Sequence, residues 1–212
     1  MVSRVDPKRL VAEGYERIAE RYAESEGSRV SPIREWFLTE ILGRLPGRSD
    51  VLELGCGAGI PVGRALAEHH RYVGVDLAAA QLALARRNVP GVPFIQADLT
   101  TMEWSAESFD AVVAFYVFNH VPPGQFEPTL ARIARWLRPG GSFAASLPGG
   151  DSTFEDVEDD WVGVPMYFAG IATDVQDQVL AATQLTTELA EIREEDEDGT
   201  TIRFRWLIAR RL

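Results

Sequence analysis

Three glycines at alternate positions, Gly55, Gly57 and Gly59, and two later acids, Asp76 and Asp98, are the residues of this 212-residue sequence best placed to do chemistry. A glycine lets a ligand approach the backbone and tolerates the positive φ angles of a tight turn. An acid at the tip of the next strand, about 20 residues further on, can accept hydrogen bonds from ribose hydroxyls. Glycine loop plus acid therefore predicts an adenosine-like ligand lying across the carboxyl ends of neighbouring strands. The plain alternative is an ordinary strand-to-helix turn, against which Asp76 argues. Pyrophosphate-binding dinucleotide folds space their glycines Gly-x-Gly-x-x-Gly; here the spacing is Gly-x-Gly-x-Gly, preceded by Glu53. Cys56, wedged between two of the glycines, reads as a small packed side chain rather than a nucleophile.

The elements that must position these residues follow from hydrophobic patterning. Val51–Leu54 is a short, branched apolar run entering the loop, as a buried parallel strand requires. Strands are expected near 50–54, 71–75, 92–96, 109–115 and 142–147, with helices near 60–69, 78–88 and 125–137. Such alternation implies a mainly parallel sheet with helices on both faces. A helix near Asp174–Thr183 and two strands meeting at Asp198-Gly199 complete the chain; Ile202, Phe204, Trp206 and Ile208 alternate with Arg203 and Arg205, as in a half-buried antiparallel strand.

Ahead of the sheet, Asp6-Pro7 opens a helix with Leu10, Val11, Tyr15, Ile18, Ala19 and Tyr22 on one face. A second helix runs from Ser31-Pro32 to about Leu45, with Ile33, Trp36, Phe37, Ile41 and Leu42 turned inward, and ends at Pro46-Gly47. Residues 148–173 show little periodicity and are expected to be a long loop. Their acidic run Glu155–Asp160 reads as a solvated surface. The apolar stretch Trp161–Phe168 either packs over the sheet edge or lines a binding pocket.

Several motifs in order carry a resemblance. They are Tyr15-Glu16-Arg17-Ile18-Ala19-Glu20-Arg21-Tyr22, Glu53 with the Gly55–Gly59 loop, Asp76, and Ala97-Asp98-Leu99. Phe109–Phe115 then opens into Tyr116–Pro122, and Leu137-Arg138-Pro139-Gly140-Gly141 closes the series. Over about Tyr15 to Leu147 the chain resembles class I S-adenosylmethionine-dependent methyltransferases of the small-molecule type. The resemblance implies a Rossmann-like α/β three-layer sandwich with a seven-stranded, mostly parallel sheet, an antiparallel C-terminal strand and an N-terminal helical lid. It divides a single domain into lid helices (1–48), a cofactor-binding core (49–147), a substrate loop (148–173) and a closing helix and hairpin (174–212).

The same resemblance implies S-adenosyl-L-methionine as cofactor and S-adenosyl-L-homocysteine as product. Tyr22, Glu53, Gly55, Cys56, Gly57, Gly59, Asp76, Leu77, Asp98, Leu99, Phe115 and Tyr116 are the expected cofactor contacts. Tyr15, His120, Met166 and Tyr167 are the expected substrate contacts. His120 is the candidate base for removing a proton from an O or N acceptor; its other reading is a structural loop histidine. Asn-Pro-Pro-Tyr, the signature for nucleobase or glutamine amide methylation, does not occur. No cluster of His, Cys or carboxylates has metal-ligand spacing, so no metal is expected. An NAD(P)-dependent oxidoreductase shares the loop-and-acid logic, and a protein of this fold without methyl transfer is the third reading.

Bulk properties narrow the setting. The composition, 46% hydrophobic and 25% charged, suits one domain with a full core. A net charge of −11 disfavours nucleic acid as a partner. No apolar run is long enough to span a bilayer and Met1–Leu10 lacks an apolar signal core, so no membrane partner is expected. A single cysteine fits a reducing, cytoplasmic location. The expected partner is a small molecule, with the chain a monomer or homodimer.

Overall fold

The computed structural model describes residues 6–25, 31–197 and 200–212. Helices α1 (Pro7–Ser25) and α2 (Pro32–Arg44) precede β1 (Asp50–Leu54), α3 (Val62–His69), β2 (Arg71–Asp76), α4 (Ala79–Asn88) and β3 (Phe94–Gln96). β4 (Phe109–Ala114), α5 (Pro123–Trp136), β5 (Leu137–Pro148), β6 (Phe154–Trp161), β7 (Val164–Gly170), α6 (Thr173–Ala182), β8 (Leu185–Glu197) and β9 (Thr200–Arg211) follow. The turn expected at Asp198-Gly199 lies outside the described residues.

The main sheet has seven strands in the order β3-β2-β1-β4-β5-β9-β8. β1 to β5 pair in parallel, and β9 runs antiparallel to both β5 and β8. Chain order reverses between β1 and β4, and in such open sheets that switch point opens a crevice at the strands' carboxyl ends. Both faces are covered. One core packs Leu52, Val112, Phe143 and Leu207 under α5, and the other packs Val51, Val113, Ala144 and Ile208 under α2, α3 and α4. Alternate residues of one strand supply opposite faces, so β1 and β4 are buried throughout their central positions.

The helix starts follow the sequence reading. Asp6 Oδ1 accepts from the backbone N–H of Lys8, and Ser31 Oγ accepts from Arg34 N–H at 3.3 Å, each satisfying an amide that the first turn leaves bare. Trp36 is the exception. It is 38% exposed, because Phe37, Leu38 and Ile41 take the inward arc of α2 and a 3.6-residue period leaves position 36 outside it.

Residues 154–170 are not the expected loop. β6 and β7 form a separate antiparallel two-stranded sheet, whose β7 packs on α1. Val11 and Ile18 of α1 pack there on Val164, Met166 and Ala169. The approach is close: a Cβ on Gly14 would stand 2.6 Å from the methyl carbon of Met166.

Two polar contacts latch the other side of α1 to the core. Lys8 Nζ reaches Asp98 Oδ2 at 2.8 Å and Thr100 Oγ1 at 2.5 Å. The Glu16 carboxylate accepts from the backbone N–H groups of Ala79 and Ala80, placing an anion on the N-terminus of α4, where the helix dipole favours it.

Candidate active site

A cleft with an empty volume of about 1170 Å³, part of it open solvent, lies over the carboxyl ends of β1 to β4 and under α1. Thirteen residues singled out from sequence line it: Tyr15, Tyr22, Glu53, Gly55, Cys56, Gly57, Asp76, Leu77, Asp98, Leu99, Phe115, Tyr116 and His120.

The glycines of the loop do different jobs. All three have positive φ, from 50° to 74°, but only Gly57 is free of close neighbours, the nearest being Gln81 Oε1, 3.8 Å from where a Cβ would stand. A Cβ on Gly55 would collide with Val117 at 2.6 Å. Gly59 is not among the residues lining the cleft; a Cβ there would stand 3.3 Å from Ala85 of α4 and from Val89, which caps that helix. The expectation that Gly59 touches a ligand is therefore corrected: its place is helix packing.

The acids are held unequally. Asp76 Oδ2 accepts from Gly57 N–H and Oδ1 from Ala78 N–H, each at 2.9 Å. Each oxygen keeps a further lone pair for a ligand. Burial raises its pKa against those hydrogen bonds. Glu53 is 5% exposed and accepts from the Tyr72 hydroxyl at 2.5 Å; burial pushes its carboxyl up to about 8 despite that bond. Asp98 behaves differently. Burial works to raise it, but hydrogen bonds from Lys8 and Thr100 prevail and the net direction is down. Lys8, the only lysine in the chain, was not foreseen as a partner; nothing local in the sequence links positions 8 and 98.

His120 is buried in a 3-10 turn (Phe118–His120) just beyond β4. Its Nδ1 lies 2.8 Å from the carbonyl oxygen of Tyr167, which can only accept, so Nδ1 carries the hydrogen. Burial lowers its pKa to about 4, leaving the ring neutral at pH 7. Nε2 then accepts from the Tyr15 hydroxyl at 2.9 Å. The Nδ2 of Asn119 stands 3.4 Å from the same nitrogen, and its Oδ1 is buried without a partner.

Tyr15, Tyr22, Arg34 and Tyr116 also line a neighbouring, larger chamber of about 2050 Å³ of empty volume, again including open solvent. Tyr22, Tyr116, Phe154, Trp161, Phe168 and Phe204 give it aromatic walls. Both readings of the 161–168 stretch apply in part: Trp161, Val162 and Phe168 face this chamber, while Val164 and Met166 pack under α1. Met166 and Tyr167, expected as substrate contacts, line neither space. Met166 is wholly buried against α1, and Tyr167 turns its hydroxyl to Glu155 at 2.6 Å, so only its backbone carbonyl serves the site.

Tyr116 has φ +55°, a conformation that costs a non-glycine residue about 1–3 kcal/mol and gathers at functional sites. Its N–H donates to Ser146 Oγ at 2.7 Å and its hydroxyl meets Ser31 Oγ at 3.1 Å. Gln81, which the sequence reading passed over, also lines the cleft, 1% exposed and with neither amide atom hydrogen-bonded. The signal was present: a neutral polar residue on the inward face of α4, beside Leu82 and Ala85. Among the described residues no three His, Cys, Asp or Glu side chains group as a metal site, and no helix is long and apolar enough to cross a membrane.

Residues 51–141 match the family model of a methyltransferase domain. The chain is 30% identical over 137 residues to a ubiquinone biosynthesis O-methyltransferase of Cronobacter sakazakii, covering 60% of this chain and 55% of that protein. It is 33% identical over 136 residues to a trans-aconitate 2-methyltransferase of Acidovorax ebreus, covering 60% and 48%. The chain thus spans about half the length of these curated relatives. In three dimensions it resembles the 1,6-didemethyltoxoflavin-N1-methyltransferase of Burkholderia thailandensis, solved with 1,6-didemethyltoxoflavin and S-adenosylhomocysteine bound. The TM-score is 0.73 at 17% identity, over 100% of this chain and 92% of that one, a likeness of fold.

Proposed function

We propose that this chain, whose residues 51–141 match the model of a methyltransferase domain, transfers a methyl group from S-adenosyl-L-methionine to an O or N atom of a small molecule. The observation that carries the proposal is the adjacency of the two spaces: a cleft over Gly57 and Asp76 shares Tyr15, Tyr22 and Tyr116 as walls with an aromatic chamber.

The residues present fit the cofactor. Gly57 offers an open backbone face where any side chain would intrude. Asp76 keeps lone pairs for ribose hydroxyls, and Asp98 with Leu99 borders the space proposed for the adenine. Glu53, Cys56, Leu77 and Phe115 close the walls, and Tyr116 and Tyr22 line both the cleft and the chamber. When bound, S-adenosylmethionine supplies a methyl group already activated on a sulfonium.

The chain's own task is to hold the acceptor close and aligned, which can lower a barrier by about 7–11 kcal/mol. Tyr15 stands in both spaces, and the geometry favours it over His120 as the group that meets the acceptor. His120 Nε2 already accepts from Tyr15, and a base with a pKa near 4 has little pull on an acceptor's proton at pH 7. His120 is then a positioning residue, fixed by the Tyr167 carbonyl, that orients the Tyr15 hydroxyl. Turnover should accordingly show no limb near pH 6.5, the ordinary histidine range. A kinetic pKa there that His120→Ala abolishes would restore the histidine as the base.

A net charge of −11 disfavours nucleic acid as the acceptor and accords with a small molecule; the reading places the chain in the cytoplasm as a monomer or homodimer. The test is incubation with S-adenosylmethionine and a panel of phenols, carboxylic acids and amines, read by mass spectrometry. A small-molecule product heavier by one methylene supports the proposal. Methylated protein or nucleic acid with no methylated small molecule contradicts it.

A further inference from the structure

Gln81 sits in the first turn of α4 at 1% exposure, and neither Oε1 nor Nε2 has a hydrogen-bond partner. Buried amides are almost always paired, since an unmet donor or acceptor carries its full desolvation cost. Methionine, of similar length and shape, would remove that cost. The amide is not walled into the core: it faces the cleft beside Gly57, with Oε1 3.8 Å from the position of a Gly57 Cβ. The same Gly57 is hydrogen-bonded to Asp76.

A primary amide offers two donors and an acceptor, whereas an ionised carboxylate only accepts. Two vicinal hydroxyls, each both donor and acceptor, need both kinds of partner. Asp76 alone can take their hydrogens but leaves their oxygens without a donor. Building on the cofactor reading above, we propose that Gln81 is a second ribose contact: Asp76 takes the hydrogen of one hydroxyl, Gln81 Oε1 takes that of its neighbour, and Gln81 Nε2 donates to the oxygen of the first. Asp76 and Gln81 then read the diol as a pair, the amide turning from its closed position beside Gly57 to meet it. It follows that nucleosides lacking a ribose hydroxyl are discriminated here, and that the position trades ligand-free stability for affinity.

The test uses the full chain and its Gln81→Met and Gln81→Glu variants. Calorimetry is run with S-adenosylhomocysteine and with its 2′-deoxy and 3′-deoxy analogues, and ligand-free thermal unfolding is measured alongside. Gln81→Met is expected to bind S-adenosylhomocysteine roughly ten- to a hundredfold more weakly, while unfolding at the same or a higher temperature without ligand. Gln81→Glu, which keeps the shape but loses the donor, is expected to lose at least as much affinity. The loss on substitution should shrink towards onefold for the analogue lacking the hydroxyl that the amide meets.

Unchanged affinity in Gln81→Met overturns the assignment while leaving the cofactor reading intact. So does an equal loss for the parent and both deoxy analogues, or a ligand-free Gln81→Met that unfolds well below the parent chain. No binding of S-adenosylhomocysteine to the unsubstituted chain overturns the cofactor reading itself, and this inference with it.

Discussion

The two ends of the parallel strands treat their polar groups in opposite ways. At the amino end Asp50 receives Arg71 at 2.5 Å and Arg138 at 2.9 Å. Asp110 takes the other arm of Arg138 at 2.8 Å and also the backbone N–H of Asp50 at 2.7 Å. The pull of Arg71, backed by Arg138, holds Asp50 below the ordinary carboxylate range. At the carboxyl end, on the same strands, Glu53 and Asp76 are buried and pushed upward. There Gln81 has no partner and Tyr116 holds a positive φ. One end is closed by its own ion pairs; the other borders the cleft and leaves the Gln81 amide unpaired there.

Substitutions that convert one end towards the other sharpen the contrast. Asp76→Ala has the largest expected effect: two loop hydrogen bonds and the ribose acceptor vanish together, and S-adenosylhomocysteine should bind at least about a hundredfold more weakly by calorimetry. Glu53→Gln acts on stability and its pH dependence. The native carboxyl titrates near 8 rather than at the ordinary 4.5, so the native state holds a proton that the unfolded chain has released. That favours folding below about pH 4.5, and the benefit is lost as pH rises through about 8. Glu53→Gln should flatten this decline and leave the variant roughly 2–4 kcal/mol more stable, relative to the parent, above pH 8. Urea unfolding across that window measures it.

Tyr15→Phe comes next, with an expected loss of about tenfold in kcat for the acceptor; equal rates would remove Tyr15 from the reaction. Arg138→Met at the amino end should be the mildest. Its pairs are partly solvated, so about 1 kcal/mol of stability is lost in urea unfolding, with S-adenosylhomocysteine affinity unchanged. A large affinity loss there would erase the distinction between the two ends.

Much of the carboxyl end was legible because its parts are local: a strand, a loop and an acid in fixed order announce themselves within a few residues. The strand and helix alternation and the cleft-facing placement of Asp76 followed from such patterns, whereas the seven-stranded count, Asp98 and Tyr116 rested on the resemblance of the motifs in series. The β6–β7 hairpin did not, because Glu155–Asp160 is exposed throughout β6 and so lacks the alternation that reveals a half-buried strand. Met166 was mistaken for a wall residue because the sequence does not say that Gly14 lets α1 pass directly over it. Trp36 was read inward by its apolarity alone, and the latch from Lys8 to Asp98 joins residues too far apart for any local pattern.

The most direct test is a calorimetric titration of the unsubstituted chain with S-adenosylhomocysteine and, separately, with NADH. Saturable one-to-one binding of S-adenosylhomocysteine, with NADH silent, is the expected result. Tight binding of NADH with no heat from S-adenosylhomocysteine would contradict the assignment of this cleft to an adenosyl sulfonium.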